Sequence, residues 1–194
     1  GKVRYIGEPV AAVAAVDQLT ARRAVALIDV EYEELPAVLS IDQALAEDAP
    51  IVHDNFEELV KIYESEHTPN VMSIMQVEEG DVETAWAQCD VIVEGEYETQ
   101  AQCHTYMEPC SALADIDANG KVTVWSGNQS VFRLQANIAQ SLDMPMAKIR
   151  CVTPRVGGAF GGKMEQTIQP IVVGLTIKAK RPVKFTLSRE QDFE

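Results

Sequence analysis

Four glycines fall within six residues, at positions 157, 158, 161 and 162, and Lys163 follows them. Each glycine costs conformational entropy on folding, so such a run needs a physical reason. Without side chains, successive backbone N–H groups can approach an anion closely, and a helix that begins after them adds its positive end. Residues 157–163, called the glycine loop below, therefore predict an anion-binding site. A tight turn that only packs a helix on a strand is the alternative.

The sequence of this loop partly matches two nucleotide-binding motifs. It fits the first seven positions of the P-loop pattern G-x-x-x-x-G-K, but Met164 stands where that motif needs Ser or Thr to hold magnesium. Pro170 falls inside the helix expected to follow, where a proline costs about 3 kcal/mol. Ala159 breaks the dinucleotide pattern G-x-G-x-x-G. A phosphate-binding nucleotide module is therefore an alternative hypothesis that Met164 argues against.

The 194 residues carry a formal net charge of −14, which is unevenly distributed. Residues 42–98 hold 16 acidic side chains against Lys61 alone, whereas residues 148–189 hold nine basic side chains and only Glu165 as an acid. The overall acidity argues against nucleic acid as the main partner, because that binding depends on Lys and Arg at phosphates. The basic end surrounds the glycine loop and strengthens the anion-binding interpretation.

The spacing of the cysteines and the length of the apolar stretches indicate whether the chain could hold a metal or cross a membrane. The four cysteines form no C-x-x-C pair and none of the closely spaced sets that hold zinc or an iron–sulfur cluster. Cys103 and His104 would point to opposite faces of a strand, so no metal ligand is expected here. No apolar stretch approaches the roughly 18 residues of a membrane span, and no export leader opens the chain. The sequence predicts a cytoplasmic protein with reduced thiols that contacts no membrane.

Hydrophobic periodicity and turn residues predict the elements that position the loop. Alternating or continuous apolar patterns predict strands at residues 2–6, 10–16, 30–35, 91–100, 112–117, 121–125, 149–152 and 183–187. Helical spacing predicts helices at 20–27, 42–46, 81–87, 130–142 and about 164–178, with Thr20, Asp81 and Ser130 as caps. Asn119-Gly120 predicts a hairpin turn. The glycine loop then leaves a short strand and enters a helix, and the chain ends on a polar tail without a further element.

Several segments together resemble one family. The sequence VGGAFGGK at 156–163 is similar to the G-G-x-F-G-G-K loop of the molybdenum-binding subunit in the xanthine dehydrogenase and aldehyde oxidase family. Residues 2–13 and 30–36 resemble the α/β-hammerhead domain of the same subunits, and residues 104–109 resemble their His-x-Tyr-x-Glu-Pro segment. Trp125 and Gln129 stand where the family has a Trp and a Gln before a helix. The matches follow the family's order over nearly the whole chain.

The resemblance implies cofactor-binding roles for particular residues. Gln129 would lie near an oxo ligand of the molybdenum with its amide as a donor, or else cap the helix that follows. The residues that would run beside the pterin and the metal are Gly158, Ala159, Phe160 and Gly161. Phe160 and Gly161 would offer backbone N–H groups. Glu108 would orient the site or satisfy a buried network, and no residue of this chain is expected to be catalytic or to ligate the metal.

The implied fold class is α+β. It comprises a partial α/β-hammerhead-like module at residues 1–55, an acidic connection at 56–75 and the N-terminal part of a molybdopterin-binding domain at 76–194. The resemblance implies molybdopterin with molybdenum, either as such or extended as a cytosine dinucleotide. It further implies 2Fe-2S and FAD groups on partner subunits or domains, in an oligomeric enzyme. The reaction implied is hydroxylation of a small molecule, an aldehyde, an N-heterocycle or a related electron-poor carbon, with water as the oxygen source.

Two departures from the family narrow these expectations. Members that act on xanthine place a Glu directly after the loop lysine, whereas here Met164 takes that position and Glu165 comes one later, which speaks against xanthine as substrate. Family subunits are longer and carry their general base outside the region present here. The chain is therefore expected to be a fragment or one piece of a split subunit, inactive alone. A noncatalytic assembly piece is a further alternative.

Overall fold

The computed structural model describes residues 1–55, 70–72, 74, 76–165 and 167–194. These residues divide into two compact units, one formed by Gly1–Asp29 with Gln100–Glu194 and the other by Val30–Thr99. The α-helices are α1 (Gln18–Val25), α2 (Ile41–Leu45), α3 (Val82–Ala87), α4 (Val131–Ser141), α5 (Gln169–Ala179) and α6 (Arg189–Phe193). Of these, α2 and α3 belong to the Val30–Thr99 unit. None of the described helices is long and apolar enough to cross a membrane.

The unit that holds the glycine loop contains a four-stranded sheet. Its strands are β1 (Ser111–Ile116), β2 (Val122–Ser126), β3 (Ile149–Val152) and β4 (Val183–Thr186), in the spatial order β3-β2-β1-β4. Strand β1 runs antiparallel to β2 and β4, and β2 runs parallel to β3. Ala112 lies opposite Ser126, and Ser111 lies opposite Thr186. The start of β1 and the ends of β2, β3 and β4 therefore meet at one edge of the sheet.

One face of this sheet packs against α4 and α5. Alternate strand residues point to the same face, and on this face Ala112, Ala114, Val122 and Val124 are apolar and buried, followed at the end of β2 by the buried polar Ser126. The buried core includes Ala112, Ala114, Val122, Val124, Ile149, Leu134, Ile138, Val172 and Val173. Because a close-packed core resists displacement, the sheet edge is a firm base for the segments that leave it.

Most elements of the C-terminal half confirm the sequence-based predictions. Strand β3 occupies the predicted residues, and the other three strands agree within one residue at each end. The cap of α3 is also confirmed, since the Asp81 carboxylate accepts a hydrogen bond from the Thr84 N–H at 3.0 Å. Ser130 occupies the predicted N-cap position of α4, whereas the cap predicted at Thr20 is wrong. The Ser130 side chain makes no cap hydrogen bond, and α1 is capped by Asp17, which accepts from the Thr20 N–H at 2.7 Å.

The helix after the glycine loop begins later than predicted. The pattern predicted a start near Met164, but α5 begins at Gln169 with Pro170 in its first turn. This position suits proline, because the N–H groups of the first turn have no intrahelical acceptor. The polar tail also differs from its prediction, since it forms α6. Ser188 and Gln191 make a capping box there, a signature the sequence carried.

The predicted strands before Ser111 are wrong. Among the described residues of segments 2–6, 10–16, 30–35 and 91–100, no strand forms, and large apolar side chains such as Ile6, Val93 and Tyr97 are exposed. Alternation alone does not make a strand, because the backbone groups need a neighbouring strand for their hydrogen bonds. The predicted connection at 56–75 lies mostly outside the described residues, and the domain division built on it stays a prediction.

Candidate functional site

Four stretches of chain meet at the sheet edge defined above. Residues 104–110 enter β1, residues 127–130 leave β2, the glycine loop follows β3, and α6 follows β4. This convergence results from strand direction, since β1 alone runs the opposite way and therefore contributes the residues that precede it. Parts of the chain far apart in sequence, including Glu108, Gln129 and Lys163, are thereby brought into contact.

The glycine loop is a compact series of turns. Gly158, Phe160 and Gly161 have φ values of 92°, 53° and 98°, in the left-handed region that glycine adopts without strain. The Gly162 N–H donates to the Ala159 carbonyl at 2.9 Å, and the Met164 N–H donates to the Gly161 carbonyl at 3.0 Å. Phe160 is the exception to the glycine pattern, and its ring is 75% exposed. The loop thus presents an aromatic side chain at its tip.

Two of the glycines are required by contacts within the protein. A Cβ atom on Gly157 would lie 2.7 Å from Glu108 Cβ, and one on Gly162 would lie 2.9 Å from His104 Cγ and from Tyr106 Cε1. The glycine pattern predicted close approach of the backbone to an anion. At positions 157 and 162 the close approach is to the segment that precedes β1, so this part of the motif serves to pack the loop.

Gln129 holds the loop from the β2 side. Its Oε1 accepts hydrogen bonds from the N–H groups of Gly161 at 3.1 Å and Lys163 at 3.3 Å. The Gln129 N–H and the Asn128 side-chain amide both donate to the Lys163 carbonyl, at 3.2 and 2.8 Å. The N–H of Gly161, expected to face the cofactor, is therefore engaged by Gln129. The amide nitrogen of Gln129 keeps its capacity as a donor.

Lys163 is buried and paired with Glu108. Its Nζ donates to Glu108 Oε2 at 2.7 Å and lies 4.7 Å from the centre of the Tyr106 ring, a cation–π distance. Partial burial acts to raise the pKa of Glu108, but hydrogen bonds from Lys163 and the Gly157 N–H, with the lysine charge, outweigh it and lower that pKa. A P-loop lysine has to reach phosphate, so the P-loop hypothesis is wrong for this loop.

The segment before β1 is fixed from its other side by α6. Arg189 Nη1 donates to the Tyr106 carbonyl at 2.9 Å, and Arg189 Nη2 donates to the Met107 carbonyl at 2.6 Å. Asp192 Oδ1 accepts from the Cys110 N–H at 3.0 Å and from the Tyr106 hydroxyl at 3.1 Å. Burial raises the pKa of the Tyr106 hydroxyl and of the Cys110 thiol. Sequence reasoning missed this support because it predicted no element after β4.

Three successive backbone donors at the tip of the loop are left unpaired among the described residues, although Ala159 itself is buried. Within the described part of the chain, the N–H groups of Gly158, Ala159 and Phe160 have no hydrogen-bond acceptor. Consecutive N–H groups in a turn with left-handed residues suit an anion or a group rich in oxygen. These three residues are among those predicted to bind the cofactor, and their donors fit a molybdopterin group. Among the described residues, no group of three His, Cys, Asp or Glu side chains could hold a metal ion.

The glycine loop thus presents backbone donors, unpaired among the described residues, at one edge of the sheet in an α+β unit, an arrangement suited to a cofactor-binding domain. Residues 62–194 match the model of the molybdopterin cofactor-binding domain, and residues 1–36 match the aldehyde oxidase and xanthine dehydrogenase a/b hammerhead domain. The chain therefore belongs to the molybdopterin cofactor-binding family, and its first 36 residues match the hammerhead domain of aldehyde oxidase and xanthine dehydrogenase. The family resemblance and the α+β fold class predicted from the sequence are confirmed.

Individual relatives agree with this assignment. The nicotinate dehydrogenase large molybdopterin subunit of Eubacterium barkeri is 33% identical over 190 residues, which cover 98% of this chain and 42% of the relative. A probable xanthine dehydrogenase subunit from Bacillus subtilis is 36% identical over 98% of this chain and 24% of its own length. Among solved structures, aldehyde oxidoreductase from Desulfovibrio gigas superposes with a TM-score of 0.79 at 30% identity, covering 92% of this chain and 18% of that one. The chain thus spans less than half the length of these relatives.

Proposed function

We propose that this chain forms the cofactor-binding wall of an oxidoreductase that hydroxylates an electron-poor carbon of a small molecule, with water as the oxygen source. The observation that carries the proposal is the tip of the glycine loop, where three successive N–H groups stand without an acceptor in the described residues. The family match supports molybdopterin as the group they would bind.

The roles proposed for individual residues follow from their positions. The N–H groups of Gly158, Ala159 and Phe160 would donate to the bound cofactor, which supplies the metal centre at which the substrate carbon is oxidised. Gln129 would fix Gly161 through its oxygen and offer its amide nitrogen toward the same group. The exposed ring of Phe160 would exclude water from one side of the site. Glu108 and Lys163 would hold the loop on its neighbouring segments and would not contact the cofactor.

Substrate class and partners are proposed from the relatives. The names of the relatives described above include nicotinate and aldehyde, so an N-heterocycle or an aldehyde is the proposed substrate. Separate subunits are named among them, which supports partner subunits or domains. We propose that these carry 2Fe-2S and FAD, that the complete enzyme is an oligomer in the cytoplasm, and that the pterin is bound either as such or extended by a cytosine nucleotide.

The test is metal and pterin content in the complete protein that contains this chain. We expect molybdenum and pterin to copurify with the wild type. Gln129→Ala and Phe160→Ala should lower substrate turnover more than Cys151→Ala, whose side chain lies in β3 against the core. Equal losses in all three variants would attribute the effect to packing. A wild type that assembles with a large subunit but holds no molybdenum would instead support a noncatalytic assembly piece.

A further inference from the structure

We propose that Glu108 and Lys163 are positioning residues that hold the glycine loop closed at its base, so that the N–H groups of residues 158–160 project together toward the cofactor. This inference rests on the proposed function and deepens it. It gives Lys163 the role of holding the loop in place. A lysine that follows a run of glycines would ordinarily be expected to bind an anion.

The two ends of the loop meet on a single oxygen atom. Glu108 Oε2 accepts from the Gly157 N–H at 2.8 Å and from Lys163 Nζ at 2.7 Å. The Glu108 N–H donates back to the Gly157 carbonyl at 3.1 Å, so the first residue of the loop is held on both of its backbone groups. Because one carboxylate oxygen joins the first and last residues, the width of the loop at its base is set by Glu108.

Gln129 fixes the second half of the loop in the same manner. Its Oε1 accepts from Gly161 and Lys163, so the fixed positions are 157, 161 and 163. Residues 158–160 lie between them and carry the N–H groups without acceptors. If the base opened, these three donors would no longer be held in one arrangement. Cofactor binding would then have to order them, and the entropy lost in doing so would weaken the binding.

The two partners differ sharply in burial, which separates their expected effects. The Lys163 side chain is 1% exposed and the Glu108 side chain is 35% exposed. A buried charge that loses its partner is strongly destabilising, whereas a half-exposed carboxylate can be hydrated. Glu108→Gln leaves Lys163 buried without a counter-charge and should therefore destabilise the protein more than Lys163→Met. The double variant Glu108→Gln/Lys163→Met leaves no uncompensated charge and keeps the fold testable.

A neighbouring ion pair provides the matched control. Arg133 Nη2 lies 3.3 Å from Glu165 Oε1, just past the loop, with both side chains substantially exposed at 49% and 72%. Exposed pairs of this kind contribute little to stability. Arg133→Gln removes one ion pair near the loop without opening its base.

The experiment measures molybdenum per subunit and amide hydrogen exchange at residues 157–163 in the complete protein, for the wild type and these four variants. We expect the single and double variants at Glu108 and Lys163 to retain the cofactor about 10- to 100-fold more weakly. Exchange at 161 and 163 should be about tenfold faster in them, and Arg133→Gln should match the wild type in both readouts.

The outcomes separate this inference from the proposed function. If the wild type holds molybdenum and the folded double variant holds as much, with unchanged exchange in the loop, the inference is wrong and the proposed function stands. If the wild type holds none, the proposed function fails, and the exchange measurements alone decide whether Glu108 and Lys163 close the loop. A loss in Arg133→Gln equal to that in Lys163→Met would also overturn the positioning role.

Discussion

Lys163 and Phe160 are three residues apart and face opposite environments. The lysine, a residue type that is seldom buried unless paired, lies against Tyr106 and Glu108, while the phenylalanine projects into solvent with φ in the left-handed region. A non-glycine residue at positive φ is uncommon and tends to occur where function maintains it. The charged side chain is therefore buried and the aromatic side chain is exposed, the reverse of their usual locations.

Replacement of Gly162 should be costly, whereas replacement of Gly174 should not. A Cβ at Gly162 would lie 2.9 Å from His104 and Tyr106 ring atoms, while one at Gly174 in α5 would meet Leu142 Cδ2 at 3.7 Å, an ordinary contact. Gly162→Ala should lower the free energy of unfolding by about 1–3 kcal/mol. Gly174→Ala should raise it by about 0.5–1 kcal/mol, because alanine is the better helix residue. Urea denaturation measures both; similar values would contradict the close packing at Gly162.

Helix α6 is short, and its stability depends on its ends and its contacts. It has five residues, too few for an isolated helix, so the Ser188–Gln191 capping box and the bonds from Arg189 and Asp192 to residues 106–110 have to sustain it. Since residues 106–108 in turn contact the glycine loop, α6 supports the site through this segment.

Loss of the Ser188 cap should be measurable, in contrast to loss of Ser130. Ser188 Oγ accepts from the Gln191 N–H at 3.2 Å, and the Ser130 side chain makes no cap hydrogen bond to α4. Ser188→Ala should lower the free energy of unfolding by about 0.5–2 kcal/mol. Ser130→Ala should change it by no more than a few tenths, because no cap bond is lost. Denaturant unfolding of the two variants gives the comparison, and an equal loss would show that the capping box adds nothing.

The sequence correctly predicted those elements whose own residues show a clear pattern of alternation, turns or helix caps. Strands β1 to β4 alternate and are bounded by turn residues, and Asp81 is a cap with a clear acceptor. The same reasoning failed for residues 2–16, where alternation exists but pairing partners have to come from elsewhere in the fold. Gln129 was predicted for the site from its family position alone. The Glu108–Lys163 pair joins residues 55 positions apart, a contact that local pattern cannot reveal.

The apolar core of the described residues lies within one part of the molecule, the unit that holds the sheet. The buried hydrophobic residues lie between Tyr106 and Val173, and the described residues of the Val30–Thr99 unit include none that is fully buried. Since burial of apolar surface is the main driving force of folding, the free energy of unfolding should depend on the sheet and on helices α4 and α5.

Two substitutions on α4 test this distribution. Leu134 is fully buried in the core, whereas Phe132 is 81% exposed on the same helix. Leu134→Ala should lower the free energy of unfolding by about 2–5 kcal/mol because it leaves a cavity. Phe132→Ala should cost far less, since its ring has little burial to lose. Thermal or chemical unfolding monitored by circular dichroism distinguishes them. A small effect of Leu134→Ala would mean that the core tolerates a void there.

Four chain segments meet at one edge of the sheet. The opposite ends of the strands carry the turn between β1 and β2 and the segments that enter β3 and β4. The turn at Asn119-Gly120, the start of β3 and the start of β4 lie at the far ends of the strands. A fluorophore, an affinity tag or a surface linker grafted onto the Asn119-Gly120 turn would thus be separated from the glycine loop by the length of a strand. A label or linker attached at this turn should therefore leave the proposed cofactor-binding loop unmodified.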